Sequence, residues 1–455
     1  MHRERKLVAA LIVCKLLFLV WNAAVFDGEI YDQAHHLWRL SAAGFNRGKM
    51  AYNGPLYYLP TAPYLLLAQL GVVAEVSSKQ GGQHLMQLMR FVNVGWLAVF
   101  YGSWIYGVFP KVTPDERTWF AASLVLLSLP GYQKVGTLVH PDNMLAAMSA
   151  AGIALWLLTR ERASSPLRTR WEWALALLTG LLGSVRPFAV VPVVVLWGAL
   201  MWSARKGRTL KVWLQRGLLY TLLSAVLASA WLGFRAYDSR VVLDAYKTTY
   251  IEEFQAHRSD FDFIPYFTTF YYRELLQRPN RQIKRLDRSH PKWENIYGNS
   301  FFTIAYSEFW GDHWLYLSGP RLHEQKKLEK RRLLQVALPL SVLLIGRFFW
   351  GVGLLFTRVG KSLRDRVLTP AVEAQLVLLG MLVAGLALYM YWQTGPGLLP
   401  GKNSTIKFLY NAHLVPLAIA IAFVPRVRWP WLWGVMALIV TAVSIPFLLF
   451  RPRWL

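Results

Sequence analysis

The chain is almost free of cysteine: Cys14 is the one thiol in 455 residues. That excludes intrachain disulfides and any thiolate-rich metal site. Cys14 itself sits within an apolar run, where a thiol behaves as a small hydrophobe. No nucleic-acid-binding motif accompanies the formal net charge of +25, so anionic membrane headgroups explain the excess of cations better than RNA or DNA. Internal repeats, heptad runs and low-complexity tracts are also missing, which removes coiled coils and repeat arrays.

Apolar sequence is what the chain has in quantity. Aliphatic and aromatic residues make up 55% of it, and they gather in runs of about 20, the length a bilayer demands. In the first half these are Leu7–Phe26, Phe91–Phe109, Trp119–Val139, Met144–Leu158, Trp173–Val185, Phe188–Trp202 and Trp213–Phe234. Leu333–Phe356, Val372–Trp392, Ile406–Val424 and Trp431–Phe450 follow. The pattern implies an all-α polytopic integral membrane protein, a helical bundle of about 11–12 transmembrane helices. The basic start Met1-His2-Arg3-Glu4-Arg5-Lys6 would suit a signal peptide, but no small-x-small cleavage site follows Leu7–Phe26. The first run is therefore expected to be a retained helix with its N-terminus in the cytoplasm.

Short basic loops favour the cytoplasmic side. Lys111 and Arg117 mark one such loop; Arg160, Arg162, Arg168 and Arg170 mark a second. Arg205, Lys206, Arg208 and Lys211 mark a third, and Arg358, Lys361, Arg364 and Arg366 a fourth. With the N-terminus inside, Asp27 and Asp142 both fall outside, which requires that one of three intervening apolar stretches not span. Pro55–Val73 is the expected exception, because the prolines and tyrosines of Asn53-Gly54-Pro55-Leu56-Tyr57-Tyr58-Leu59-Pro60 suit an interfacial or re-entrant helix. Three regions result: a seven-helix membrane module over 1–235, an outer loop over 236–332 and C-terminal transmembrane helices over 333–455. Residues 299–317 carry Glu308, Asp312 and His313 and are read as part of the outer loop, not as a span. The basic Lys326–Arg332 is then expected outside as well, against its charge.

Two acidic motifs stand at the outer ends of apolar runs, Asp27-Gly28-Glu29-Ile30-Tyr31-Asp32 and His140-Pro141-Asp142-Asn143. Carboxylates are costly at membrane depth, and their presence there marks a pathway or a reaction site. The second motif is equally compatible with an Asx-type cap for the helix that follows. Arg186, at an outer hairpin, could clamp a phosphate through a bidentate fork or snorkel to headgroups. Lys407 and Tyr410 form a second candidate pair for an anion. Glu308 and Asp312, among Tyr297, Phe301, Phe302, Tyr306, Trp310 and Trp314, suit a sugar platform or an interfacial aromatic belt.

In the order of these elements the chain resembles the C-type glycosyltransferases, polytopic enzymes that take sugars from polyprenyl- or dolichyl-phosphate carriers, and among them the protein mannosyltransferases and aminoarabinose transferases. The matching pieces are Phe26-Asp27-Gly28-Glu29, Gly54-Pro55-Leu56-Tyr57-Tyr58-Leu59, Pro130-Gly131-Tyr132 leading to His140-Pro141-Asp142-Asn143, and Asn403-Ser404-Thr405-Ile406-Lys407-Phe408-Leu409-Tyr410 before Val415-Pro416. The resemblance implies transfer of a sugar from a polyprenyl-phosphate carrier to an acceptor hydroxyl on a lipid, glycan or protein, at the non-cytoplasmic face. It implies Asp27 as general base with Glu29 as alternate or orienting partner, and Asp142 as a supporting acid, acceptor-binding group or metal ligand. His140, Asn143, Arg186, Glu308, Asp312, Lys407 and Tyr410 would bind substrate. A divalent cation, Mg²⁺ or Mn²⁺, at Asp27 and Asp142 is left open, since some branches use one and others do not. The Trp-Trp-Asp signature of oligosaccharyltransferases is absent; Phe309-Trp310-Gly311-Asp312-His313-Trp314 resembles it only superficially, which argues against asparagine glycosylation. A lipid-diphosphate-dependent polymerase or ligase, and a flippase of lipid-linked sugar, are the rival expectations. The short basic start, compact size and lack of a retention signal point to a bacterial plasma membrane.

Overall fold

A backbone in hydrocarbon has to satisfy its own N–H and C=O groups, and within one segment only a helix does so. The computed structural model describes residues 2–25, 55–74, 78–132, 136, 139–161, 168–186, 189–205, 208–229, 263–277, 300–310, 324–365, 367–394 and 412–448. Among these residues the regular structure is helical, with no strand. Six helices are long and apolar enough to cross a membrane: Arg3–Val25, Gln80–Val112, Asp142–Glu161, Leu210–Ser229, Leu328–Arg364 and Pro370–Met390. The protein is a helical membrane protein.

In chain order, α1 is His2–Val25, and a 3₁₀ helix Pro55–Thr61 leads into α2, Ala62–Gln69. α3, Lys79–Gly102, runs through a π-helical stretch Ser103–Val108 to Val112. α4 is Glu116–Ser128, α5 Asp142–Glu161, α6 Arg168–Gly183, α7 Val190–Arg205 and α8 Leu210–Ser229. Short helices α9, Phe263–Thr268, α10, Tyr272–Gln277, and α11, Phe301–Trp310, precede the 41-residue α12, Glu324–Arg364. α13 is Pro370–Thr394, α14 Val415–Ala422 and α15 Pro430–Leu448.

Trp119–Val139 and Lys326–Arg332 differ from the runs read in the sequence, while Pro55–Val73, expected not to span, is broken. Trp119–Val139 is not one helix: α4 stops after 13 residues because Leu129 turns extended and Pro130 cannot donate an amide. Pro55–Val73 breaks into the 3₁₀ helix and the eight-residue α2, closed by Gly71 at φ 71°, so it does not form a continuous span. Lys326–Arg332 belongs to α12, whose length of about 60 Å well exceeds the roughly 30 Å of a hydrocarbon core. That excess lets the basic turns at both of its ends stand clear of the apolar middle.

A chain of ion pairs gathers the short basic loops at one end of the bundle. Arg5 Nε lies 2.8 Å from Glu116 Oε1, joining the start of α1 to that of α4. Lys111 and Glu161 meet at 2.5 Å, bringing in the end of α5. Arg160 pairs with Glu373 and donates to the Pro370 carbonyl at 2.8 Å, bringing in the start of α13. Arg426 Nε sits 3.5 Å from Asp115, adding the α14–α15 connection. Arg208 Nη2, 2.9 Å from Glu172, ties the α7–α8 loop to the first turns of α6. The first turn of α5 and the last turn of α6 are therefore at the opposite end, about 25–30 Å away along their axes.

A partly buried lysine caps α4. Lys15, midway along α1, donates through Nζ to the carbonyls of Leu127 and, at 3.3 Å, Leu129, and stands 5.6 Å from the centre of the Tyr101 ring. It satisfies the last carbonyls of α4, where a cation also complements the helix dipole. Lys15→Met keeps the stem and removes the donor, leaving those carbonyls unpaired. The expected loss is about 1–3 kcal/mol of stability, read from the unfolding midpoint in detergent; unchanged stability would dismiss this capping role.

Candidate functional site

At the end opposite the basic loops, the abrupt stop of α4 starts the site. Pro130 and Gly131 turn the chain, and buried Tyr132 donates its hydroxyl to the Ala412 carbonyl at 2.7 Å. This pins the turn to the segment entering α14, next to buried His413. Proline suits the start of a helix because it has no amide to leave unpaired there, and Pro141 duly accepts from Leu145 N at 3.0 Å as α5 begins.

Asp142, the first residue of α5, is 1% exposed. Its side chain does not accept from the amides of the first turn. Oδ2 instead accepts from Arg186 Nη1 and lies 3.1 Å from His140 Nδ1, while Oδ1 is buried without a hydrogen-bond partner. The helix-cap alternative is thereby set aside, although a carboxylate here still benefits from the helix dipole. Arg186 follows the final turn of α6, and its side chain is 10% exposed. It points inward to a carboxylate and does not snorkel. His140 Nδ1 is 3.4 Å from both Arg186 Nη1 and the Asp142 amide. His413 is within electrostatic reach of Asp142, and Asn143 is fully buried beside it in sequence.

The 3₁₀ helix supplies a further group. Tyr57 is fully buried, donates to Asn93 Oδ1 on α3 at 3.0 Å, and makes a backbone hydrogen bond with His140. Burial, reinforced by the neighbouring Tyr58 and Asp142, holds its phenol well above the usual range, so Tyr57 remains a neutral donor. Buried Arg90 lies one turn from Asn93 on α3, toward the site end.

The expected site residues thus divide. His140, Asp142, Asn143 and Arg186 come together. Glu308 is buried on α11, which packs on α12 through Tyr306 to the Leu334 carbonyl and through Trp310 Nε1 to Ser341 Oγ at 2.6 Å. On the same helix Ser307 and Thr303 are buried, and Thr303 donates to the Ser300 hydroxyl at 2.8 Å. Asp27, Glu29, Asp312, Lys407 and Tyr410 lie outside the described residues. Tyr57 belongs to the segment that the sequence marks as interfacial, whereas Asn93, Asn22, His413 and Lys15 stand outside the motifs that the sequence offers. Lys15 and Asn22 carried a signal, since both are polar positions on the inward phase of an apolar helix.

Among the described residues no group of three or more His, Cys, Asp or Glu gathers to hold a metal. Asp142 could offer Oδ1, but the guanidinium on Oδ2 would repel a dication. The described residues do not fit one. No protein-family model matches the chain, and no curated protein matches it.

Proposed function

We propose that the chain is a C-type membrane glycosyltransferase, moving a sugar from a polyprenyl-phosphate carrier to an acceptor hydroxyl on a lipid, glycan or protein. The observation that carries this reading is the buried Arg186–Asp142–His140 cluster at the end opposite the basic loops. Positive-inside charge would make the loop end cytoplasmic and the cluster end extracytoplasmic, in a bacterial plasma membrane. The unit would have about eleven or twelve crossings, with Pro55–Val73 lying at the interface and 236–332 as the outer loop.

In the reaction the acceptor oxygen attacks the anomeric carbon as the bond to the phosphate oxygen breaks. The polyprenyl phosphate leaves with the electron pair, and configuration inverts. Asp27 takes the acceptor proton, with Glu29 beside it in the sequence. α1 ends at the cluster end, where the Ala24 carbonyl accepts from Gln87 Nε2 at 3.1 Å, and Asp27 follows two residues beyond Val25. Arg186, oriented by Asp142, opposes the charge of the carrier phosphate, and Lys407 and Tyr410 would assist. His140 and Asn143 would line the sugar side, with Glu308 and Asp312 toward the acceptor.

The test is reconstitution of the full chain in liposomes with a synthetic polyprenyl-phosphate sugar, following sugar transfer and lipid crossing separately. Transfer without lipid crossing is the expected result. Crossing with no transfer to any acceptor would replace the enzyme reading with a flippase.

A further inference from the structure

α1 and α3 pack together around Gly136. Gly136 has Leu19 of α1 and Leu97 of α3 packed against its Cα, so closely that a methyl group there would meet Leu97 Cδ1 at 2.7 Å and Leu19 Cδ2 at 3.0 Å. α1 and α3 run in opposite senses, and one turn from this layer toward the cluster end come Asn22 on α1 and Asn93 on α3. Asn93 is engaged with Tyr57, which reaches His140 and Asp142. Asn22 is 1% exposed, and both its Nδ2 and its Oδ1 are buried without a hydrogen-bond partner. Asp142 Oδ1 is in the same condition.

Each such group carries a desolvation penalty, and buried polar atoms left unpaired in this way call for an explanation. We infer that Asn22, together with Asp142 Oδ1, forms a subsite for the hydroxyl groups of the transferred sugar. The inference rests on the transferase reading and adds to it a sugar-recognising residue.

The chemistry of the unpaired atoms selects the ligand. They comprise an amide donor, an amide acceptor and a carboxylate acceptor. A phosphate offers acceptors alone and would be repelled by Asp142. A prenyl chain offers neither, and a metal ion leaves Nδ2 unpaired. Hydroxyls donate and accept, so the several hydroxyls of a sugar offer what all three atoms lack. Arg186, paired with Asp142, provides the opposite preference, so an anion-binding group and hydroxyl-binding groups would both be present, as a sugar joined to a phosphate requires.

The experiment measures binding of polyprenyl phosphate, with and without β-linked mannose, glucose or galactose in turn, to the full chain in detergent. Wild type is expected to prefer at least one sugar-bearing lipid to the bare phosphate by about tenfold, equivalent to about 1.4 kcal/mol. Asn22→Leu should bring that ratio close to one, leave bare-phosphate affinity within about twofold, and not lower the melting temperature of the unliganded protein. If the leucine variant does not fold, Asn22→Ala carries the same comparison. A variant that keeps the sugar preference overturns the inference, as does one that loses both affinities together with stability. A wild type that binds the phosphate with no preference for any sugar overturns the subsite while leaving the transferase reading standing. Binding of neither lipid removes both.

Discussion

Replacing Asp142 with alanine is expected to destabilise the protein by about 3–5 kcal/mol, the cost of leaving one member of a buried ion pair without its partner. Its side chain is 1% exposed and that of Arg186 10%, so solvent cannot take over the carboxylate's role. The loss should be recovered by changing both members. Asp142→Leu with Arg186→Met removes the charges together, and a buried pair replaced by apolar residues of similar volume is commonly neutral or stabilising. Asp142→Leu, Arg186→Met and their double variant form a cycle with wild type in which the coupling should be of the same size as the single losses. Unfolding of the detergent-solubilised chain by denaturant reads these four proteins and Asp142→Ala. If Asp142→Ala unfolds at the wild-type midpoint, the pair does not hold the α5 and α6 ends together. If the double variant is stable yet transfers no sugar, the charges serve chemistry at the expense of stability, as a functional cluster would.

The helices were legible in the sequence because hydrocarbon imposes length and apolarity together, and α5, α12 and α13 follow runs that meet both conditions. The breaks were less legible. Leu126, Leu127 and Leu129 give no apolar signal for a stop, and the backbone restriction imposed by Pro130 ends α4 there. Lys326–Arg332 reads as a loop on charge alone, yet a helix can continue past the bilayer at little cost, and α12 does. Arg186 and Asp142 were each visible as charges out of place, but their pairing joins positions 44 residues apart through the packing of α5 on α6, which no local pattern encodes. Asn22 and Asn93 are hard to read from the sequence for a different reason. An uncharged amide is inexpensive enough on a membrane helix to look incidental, and whether it is paired depends on three-dimensional neighbours.

The largest kinetic effect is expected at Asp27. Asp27→Asn preserves size and hydrogen-bonding shape but cannot accept the acceptor hydroxyl's proton. For a general base the loss of turnover is about 10²–10⁴-fold, or about 3–5 kcal/mol of transition-state stabilisation. Carrier binding should be nearly unchanged, because the proposed reading assigns the phosphate to Arg186 and the sugar to Asn22. The fall should therefore appear in kcat and not in KM, the pattern of an interaction made in the transition state alone. The assay is single-turnover transfer from a synthetic sugar-phosphate lipid by purified variant in liposomes. Glu29→Gln, taken alongside it, should reduce the rate much less if Glu29 only orients Asp27. Near-normal turnover by Asp27→Asn with a deep loss in Glu29→Gln would exchange their roles. Near-normal turnover in both would take the base away from the end of α1 altogether.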